Sequence, residues 1–121
     1  MAFINYSNHL SSTWGERQKK AAEVYGEIID VPFPVVDEEM TSKEVERLAE
    51  DEVRRIMENR PDCVMCQGEF CLSFRVIKDL QKNGVKVVAA CSKRRVISEI
   101  LENDRVEKKS IFEFVQFREY V

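Results

Sequence analysis

The stretch Asp62-Cys63-Val64-Met65-Cys66-Gln67-Gly68-Glu69-Phe70 decides the fold. Cys63-Val64-Met65-Cys66 is a short apolar run, read with Asp62 as a strand, and Gln67-Gly68-Glu69 turns tightly out of it. Behind the turn, Phe70, Phe74, Ile77 and Leu80 recur at helical spacing, and Asn83-Gly84 ends that helix. Val85-Lys86-Val87-Val88-Ala89-Ala90 then reads as the next strand. Both strand runs are close to continuously apolar, as strands buried on two faces of a parallel sheet must be.

The same alternation continues upstream. Ala2-Phe3-Ile4-Asn5-Tyr6 reads as a first strand and Asn8-His9-Leu10-Ser11-Ser12 as a polar loop. Thr13-Trp14-Gly15-Glu16 matches an S/T-x-x-E capping box, which predicts a helix starting there. Trp14, Gln18, Ala21, Ala22 and Tyr25 would share one face of it, with Gly26 as its stop. Glu27 to Val31 is a second strand, and Pro32-Phe33-Pro34 forces an extended exit. Thr41-Ser42-Lys43-Glu44 is a second capping box, ahead of a helical stripe of Val45, Leu48, Ala49, Val53, Ile56 and Met57. A good cap contributes about 1 kcal/mol, enough to fix where a helix begins.

Downstream, the β-branched and aromatic tail from Ser110 to Phe117 reads as a strand, and Asn103-Asp104 as a turn before it. A terminal antiparallel hairpin is expected, with a helix over Ser92–Glu102 as the alternative. The expected fold class is therefore α/β. It is a single domain over residues 1–121, with an open, mainly parallel Rossmann-like sheet of about four parallel strands, flanking helices and a C-terminal antiparallel hairpin.

Composition narrows the function. A chain of 121 residues with 44% apolar content can bury about two-thirds of its unfolded surface, so its core needs no disulfide or metal. The longest apolar run, Val87 to Cys91, is far short of the ~20 residues of a membrane span. Met1 to Ser7 lacks the basic and apolar regions of a secretion signal, so a cytoplasmic location is expected. A net charge of −3 argues against a duplex-DNA binder with a broad basic face. Of the four cysteines, Cys63 and Cys66 have C-x-x-C spacing. On a strand, however, residues three apart point to opposite faces and cannot chelate one ion. No metal site and no cofactor are expected. There is no G-x-G-x-x-G, no P-loop and no G-x-S-x-G elbow.

Ligands of open α/β sheets bind beyond the carboxyl ends of the strands. The first strand delivers Asn5, Ser7, Asn8 and the only histidine, His9. The third delivers Gln67, Gly68 and Glu69, and the fourth Ser92, Lys93, Arg94 and Arg95. Amide side chains match the edges of bases. Arginine pairs bidentately with phosphate. Gly68 at a helix start admits phosphate to backbone N–H groups. Trp14 and Phe70 are candidate stacking platforms. A nucleotide or phosphodiester ligand fits this set. Two other readings stay open. One is a non-catalytic α/β subunit whose polar edge meets another protein. The other is a thiol-dependent enzyme using Cys91 beside Lys93 and Arg94.

Phe3-Ile4-Asn5-Tyr6-Ser7-Asn8-His9 resembles the start of small CRISPR-associated proteins with a CARF-like Rossmann fold. In these, an apolar strand runs into an Asn–aromatic–Ser segment followed by His. The helix with Glu16-Arg17-Gln18 and the terminal hairpin are similar too. The resemblance implies a homodimer in antiviral defence that binds a cyclic oligoadenylate, some members cleaving the ring and others only binding it. By position, Asn5, Ser7, Asn8 and His9 would line the pocket and Gln67, Gly68 and Glu69 its second wall. Arg94 and Arg95 would hold phosphate. In a metal-independent ring nuclease, His9 would be the general base, and Arg94 or Lys93 would stabilise charge on the phosphate.

Overall fold

The computed structural model describes residues 1–121. Five strands form one sheet: β1 (Ala2–Ser7), β2 (Glu27–Pro32), β3 (Cys63–Cys66), β4 (Lys86–Ile100) and β5 (Val106–Glu119). Their order across the sheet is β2-β1-β3-β4-β5. The first four are mutually parallel, and β5 runs antiparallel to β4. Helices α1 (Glu16–Glu23), α2 (Ser42–Met57) and α3 (Phe70–Lys82) make the crossovers.

Alternation along the strands explains why helices cover both faces. Ile4, Tyr6, Val64, Cys66 and Val87 pack with Ala49, Val53 and Ile56 of α2 and Leu72, Val76 and Leu80 of α3. Phe3, Cys63, Met65 and Val88 pack on the other side with Ala22 of α1, flanked by Trp14 and Phe117. Every residue of β1 and β3 is buried. Cys63 and Cys66 thus lie on opposite faces, as strand periodicity requires. Burial pushes the Cys63 thiol up to about 11 and the Cys66 thiol up to about 12.

The second capping box forms as expected. Thr41 Oγ1 accepts from the Glu44 amide at 3.2 Å, and the Glu44 carboxylate accepts from the Thr41 amide at 3.4 Å. The first does not form. Thr13 donates to the Leu10 carbonyl at 2.6 Å within a short 3-10 turn, Ser11–Thr13, and α1 begins at Glu16 behind an N-cap Gly15 with no side-chain cap. The nearby carbonyl takes the hydroxyl that the helix needed. Trp14 consequently has extended backbone and lies ahead of the helix.

On α3, Glu69 caps the N-terminus by accepting from the Leu72 amide at 2.9 Å. The buried stripe is Leu72, Val76 and Leu80, with Ile77 packed beside it, so of the expected row Ile77 and Leu80 meet the core and the two phenylalanines do not. Phe70 and Phe74 are 90% and 65% exposed.

The expected hairpin forms, and the helical alternative over Ser92–Glu102 is excluded. Its first strand is not separate: β4 runs unbroken from Lys86 to Ile100, turns at Asn103 and Asp104, both with positive φ, and returns as β5. The sheet therefore has five strands. Cys91 pairs with Gln116 but Ser92 with Phe114, so Val115 is an extra residue, a β-bulge. No helix is long and apolar enough to cross a membrane.

Candidate functional site

The chain leaves β1 for β2 on one side and comes back to β3 on the other. The strand order turns at the carboxyl ends of β1 and β3, where open α/β sheets form their ligand crevice. A cavity of about 350 Å³ lies there, lined by Ser7, Asn8, His9, Thr13, Trp14, Gln18, Met65, Gln67, Ala90 and Ser92.

A buried amide builds its rim. Asn5 is 1% exposed and sits beside Asp30 in the β1–β2 register. Its Nδ2 donates to the His9 carbonyl at 2.7 Å and to Asp30 Oδ1 at 2.9 Å, and its Oδ1 accepts from the Ser7 hydroxyl at 2.7 Å. The Ser7 oxygen in turn accepts from the His9 amide at 3.3 Å. Asp30 accepts from the Ser11 amide at 3.2 Å and the Ser11 hydroxyl at 3.1 Å. The main chain of Asn8 to Ser11 is pinned at both ends. The His9 side chain is exposed and its imidazole makes no hydrogen bond within the chain, so both ring nitrogens are available.

On the opposite wall, Gln67 Oε1 accepts from the Ala90 amide at 2.7 Å, tying the end of β3 to β4. Its Nε2 has no partner within the chain. Trp14 is half-buried, with its ring edge-to-face on Phe3 at 6.1 Å and 6.2 Å from Phe117. One side of the indole is anchored in the core while its residue borders the cavity.

The expected site residues divide accordingly. Ser7, Asn8, His9, Trp14, Gln67 and Ser92 meet at the cavity. Asn5 lies beneath it, with its polar atoms spent on the loop. Gly68 and Glu69 do not border it. Gly68 is a packing residue: a Cβ there would fall 2.5 Å from the Phe33 ring. The Glu69 carboxylate is engaged in capping α3. Lys93, Arg94 and Arg95 do not reach the cavity either, because β4 continues past Cys91 into a two-stranded arm. There Arg94 donates to Ser110 Oγ at 3.1 Å, and Arg95 pairs with Glu113 at 2.7 Å. Strand alternation puts Arg94 on the same face as Ser92, one repeat farther out, and Cys91 on the opposite face. Cys91 also sits within a strand rather than at its end.

Asp30 is the site residue that the sequence reading missed. Its signal was an acid inside the strand run Ile28-Ile29-Asp30-Val31, where β propensity disfavours it.

Two larger grooves, about 750 and 730 Å³, flank the exposed Phe70–Phe74 ridge of α3. The first carries Asp37, Glu38, Glu46 and Glu69 against Arg75 and Lys78, a net negative lining that disfavours a polyanion. The second is mainly apolar, with Ile77, Tyr120 and Lys78. The switch-point cavity instead offers hydroxyls, amides, an unengaged imidazole and an indole, which suits a ribose and a base. The cavity lining itself holds no lysine or arginine.

One family model matches the chain: that of the Uncharacterized protein MJ1673 family, over residues 1–118. No curated protein and no solved structure matches it.

Proposed function

We propose that this chain, which belongs to the Uncharacterized protein MJ1673 family, binds a cyclic oligoadenylate at the carboxyl edge of its sheet, as a cytoplasmic, CRISPR-associated, CARF-like homodimer. The observation that carries the reading is the Ser7-Asn8-His9 loop, clamped by Asn5 and Asp30 at the topological switch point, with Trp14 and Gln67 on the facing walls. A 350 Å³ cavity holds about one nucleotide, so a ring must span two copies. Trp14 and Gln67 suit a base, and Ser7 and Asn8 suit a ribose and its phosphate. Arg94, on the face of Ser92, is the nearest cation along β4 for a phosphate that projects from the cavity.

The same groups support ring cleavage. His9 accepts the proton of a ribose 2′-hydroxyl as that oxygen attacks the adjacent phosphorus. The bond to the 5′-oxygen breaks, and the leaving oxygen takes up a proton. The products are a 2′,3′-cyclic phosphate and a 5′-hydroxyl, with no redox change. Arg94 stabilises the charge on the phosphoryl oxygens of a phosphate that projects out of the cavity along β4.

The test is incubation with cyclic tetra- and hexa-adenylate, with and without chelator, followed by chromatography of the products. Binding with cleavage to linear 2′,3′-cyclic phosphates is expected. Binding without cleavage removes the catalytic role of His9, and absence of binding to either ring refutes the reading. The Phe70–Phe74 ridge favours a second reading, a non-catalytic subunit that docks another protein through α3.

A further inference from the structure

β5 is the last strand of the sheet and its outer edge is unpaired along 14 residues, Val106–Glu119. Free edges are usually short, or broken by proline or a covering element. This one contains no proline and no glycine, and no other strand pairs with it; its bulge at Val115 lies toward the end that packs on the domain, leaving Val106–Phe114 regular. Beyond Ser92 the β4–β5 arm has no helix on either face, although Val96, Ile100, Val106 and Phe112 are all more than half exposed. A two-stranded ribbon of this kind is marginal in water without further pairing.

The charges on the edge select the strand that would pair with it. In antiparallel pairing about a two-fold axis, residues facing each other share a sheet face, so only same-parity registers close. Centring on Lys109 or Glu113 sets like charges against themselves. Centring on Ser110 puts Glu107 opposite the partner's Glu113. Centring on Phe112 pairs no charges, and centring on Phe114 matches Lys109 to Glu119 by number only, because the Val115 bulge puts those two on opposite faces. Centring on Ile111 places Lys109 opposite the partner's Glu113 twice, with Ile111 against itself between them. Arg95 already holds Glu113 at 2.7 Å, so each carboxylate would sit between two cations. Only a second copy supplies this complement by symmetry.

We infer that β5 pairs edge to edge with β5 of a second copy, in antiparallel register centred on Ile111, to join the two sheets into one continuous sheet. The inference rests on the dimeric part of the proposed function and gives it an interface. Ile111 lies opposite Arg95, three residues beyond the last cavity-lining residue of β4. A two-fold axis there inverts the second copy, so the two carboxyl edges face one another. At about 3.4 Å per residue, the two Ser92 positions stand about 20 Å apart along the strands, which leaves room for a macrocycle between two cavities. Arg94 of each copy lies between them.

The experiment measures oligomeric state without ligand. Wild type is expected to sediment as a dimer at micromolar concentration. Lys109→Glu and Glu113→Lys are each expected to shift the dimer constant at least tenfold toward monomer. Their one-to-one mixture regains a dimer, seen as the mixed mass in native mass spectrometry. Circular dichroism of each variant establishes that it is folded. In a Cys71→Ser background, Ile111→Cys is expected to cross-link two copies under mild oxidation, because facing antiparallel residues lie within disulfide range. Ser110→Cys, which does not face itself, is expected not to. A monomeric wild type, a dimer indifferent to both charge reversals, or a Ser110→Cys variant that cross-links as efficiently as Ile111→Cys overturns the inference. Calorimetry with cyclic adenylates on the same samples separates the two claims. A monomer that binds the ring refutes the edge pairing and the two-copy site while keeping the nucleotide reading, and a cross-linked dimer that does not bind refutes the nucleotide reading alone.

Discussion

Replacing Asn5 with alanine removes the clamp on which the candidate site depends. The side chain is 1% exposed and makes three hydrogen bonds, of 2.7 and 2.9 Å to the His9 carbonyl and Asp30 and of 2.7 Å from Ser7. The two neutral bonds contribute about 0.5–1.5 kcal/mol each, and the bond to the carboxylate about 1.5–3 kcal/mol. Asp30 and the loop carbonyl are near water and recover part of this by hydration. The expected loss is therefore about 2–3 kcal/mol, a Tm decrease of roughly 6–15 °C for a domain of this size. Urea unfolding measures the loss. Hydrogen exchange at the Ser11 and His9 amides, which Asp30 and Ser7 hold, is expected to accelerate before global unfolding. Asn5→Asp is nearly isosteric but loses both donors and sets a second carboxylate against Asp30, so it is expected to cost at least as much at pH 8. A loss under about 0.5 kcal/mol for alanine, the floor for a single bond, or an aspartate variant as stable as wild type, would refute the clamp.

Other outcomes follow from the same geometry. His9→Ala leaves ring binding within about threefold and abolishes cleavage by at least about 100-fold, read by product chromatography. Arg94→Ala lowers affinity for the ring about tenfold and flattens its salt dependence in calorimetry. Gly68→Ala drives a Cβ into the Phe33 ring and costs about 1–3 kcal/mol in urea unfolding. The Cys66 thiol, held up at about 12 in the folded protein by burial, ionises near 9 once unfolded. Its stabilising contribution is complete below pH 9 and declines as pH rises toward 12. By about pH 10 the loss is about 1.4 kcal/mol, and Cys66→Ala is expected to flatten that part of the stability–pH curve.

The sequence was most legible where local and global demands agree. The apolar runs at Cys63–Cys66 and Val87–Ala90 announced strands buried on two faces, and the Thr41–Glu44 box placed α2 correctly. The Thr13–Glu16 box misled because its chemistry is local. The Leu10 carbonyl competed for the same hydroxyl, and tertiary contacts of Trp14 with Phe3 and Phe117 held the segment extended. Phe70 and Phe74 have helical spacing, but so do Leu72, Val76 and Leu80; spacing alone does not say which row meets the sheet. At the cavity, following strand ends brings His9, Gln67 and Ser92 together, while Trp14 enters only as a stacking side chain expected on the first helix. The cluster Lys93–Arg95 was misplaced because nothing in Cys91-Ser92-Lys93 marks whether a strand stops or continues. That depends on β5 returning to pair with it. Asp30 acts through Asn5 only because β1 and β2 are adjacent in register, which a single strand does not reveal.

The central claim is that a cyclic adenylate occupies the cavity at the carboxyl ends of β1 and β3, and Trp14 reports on it directly. It is the only tryptophan of the chain and borders that cavity. Titration with cyclic tetra- and hexa-adenylate, followed by its fluorescence, is predicted to give a saturable change for at least one ring, ending at one ring per two chains. A flat emission signal with both rings, together with no heat in calorimetry, would contradict the account.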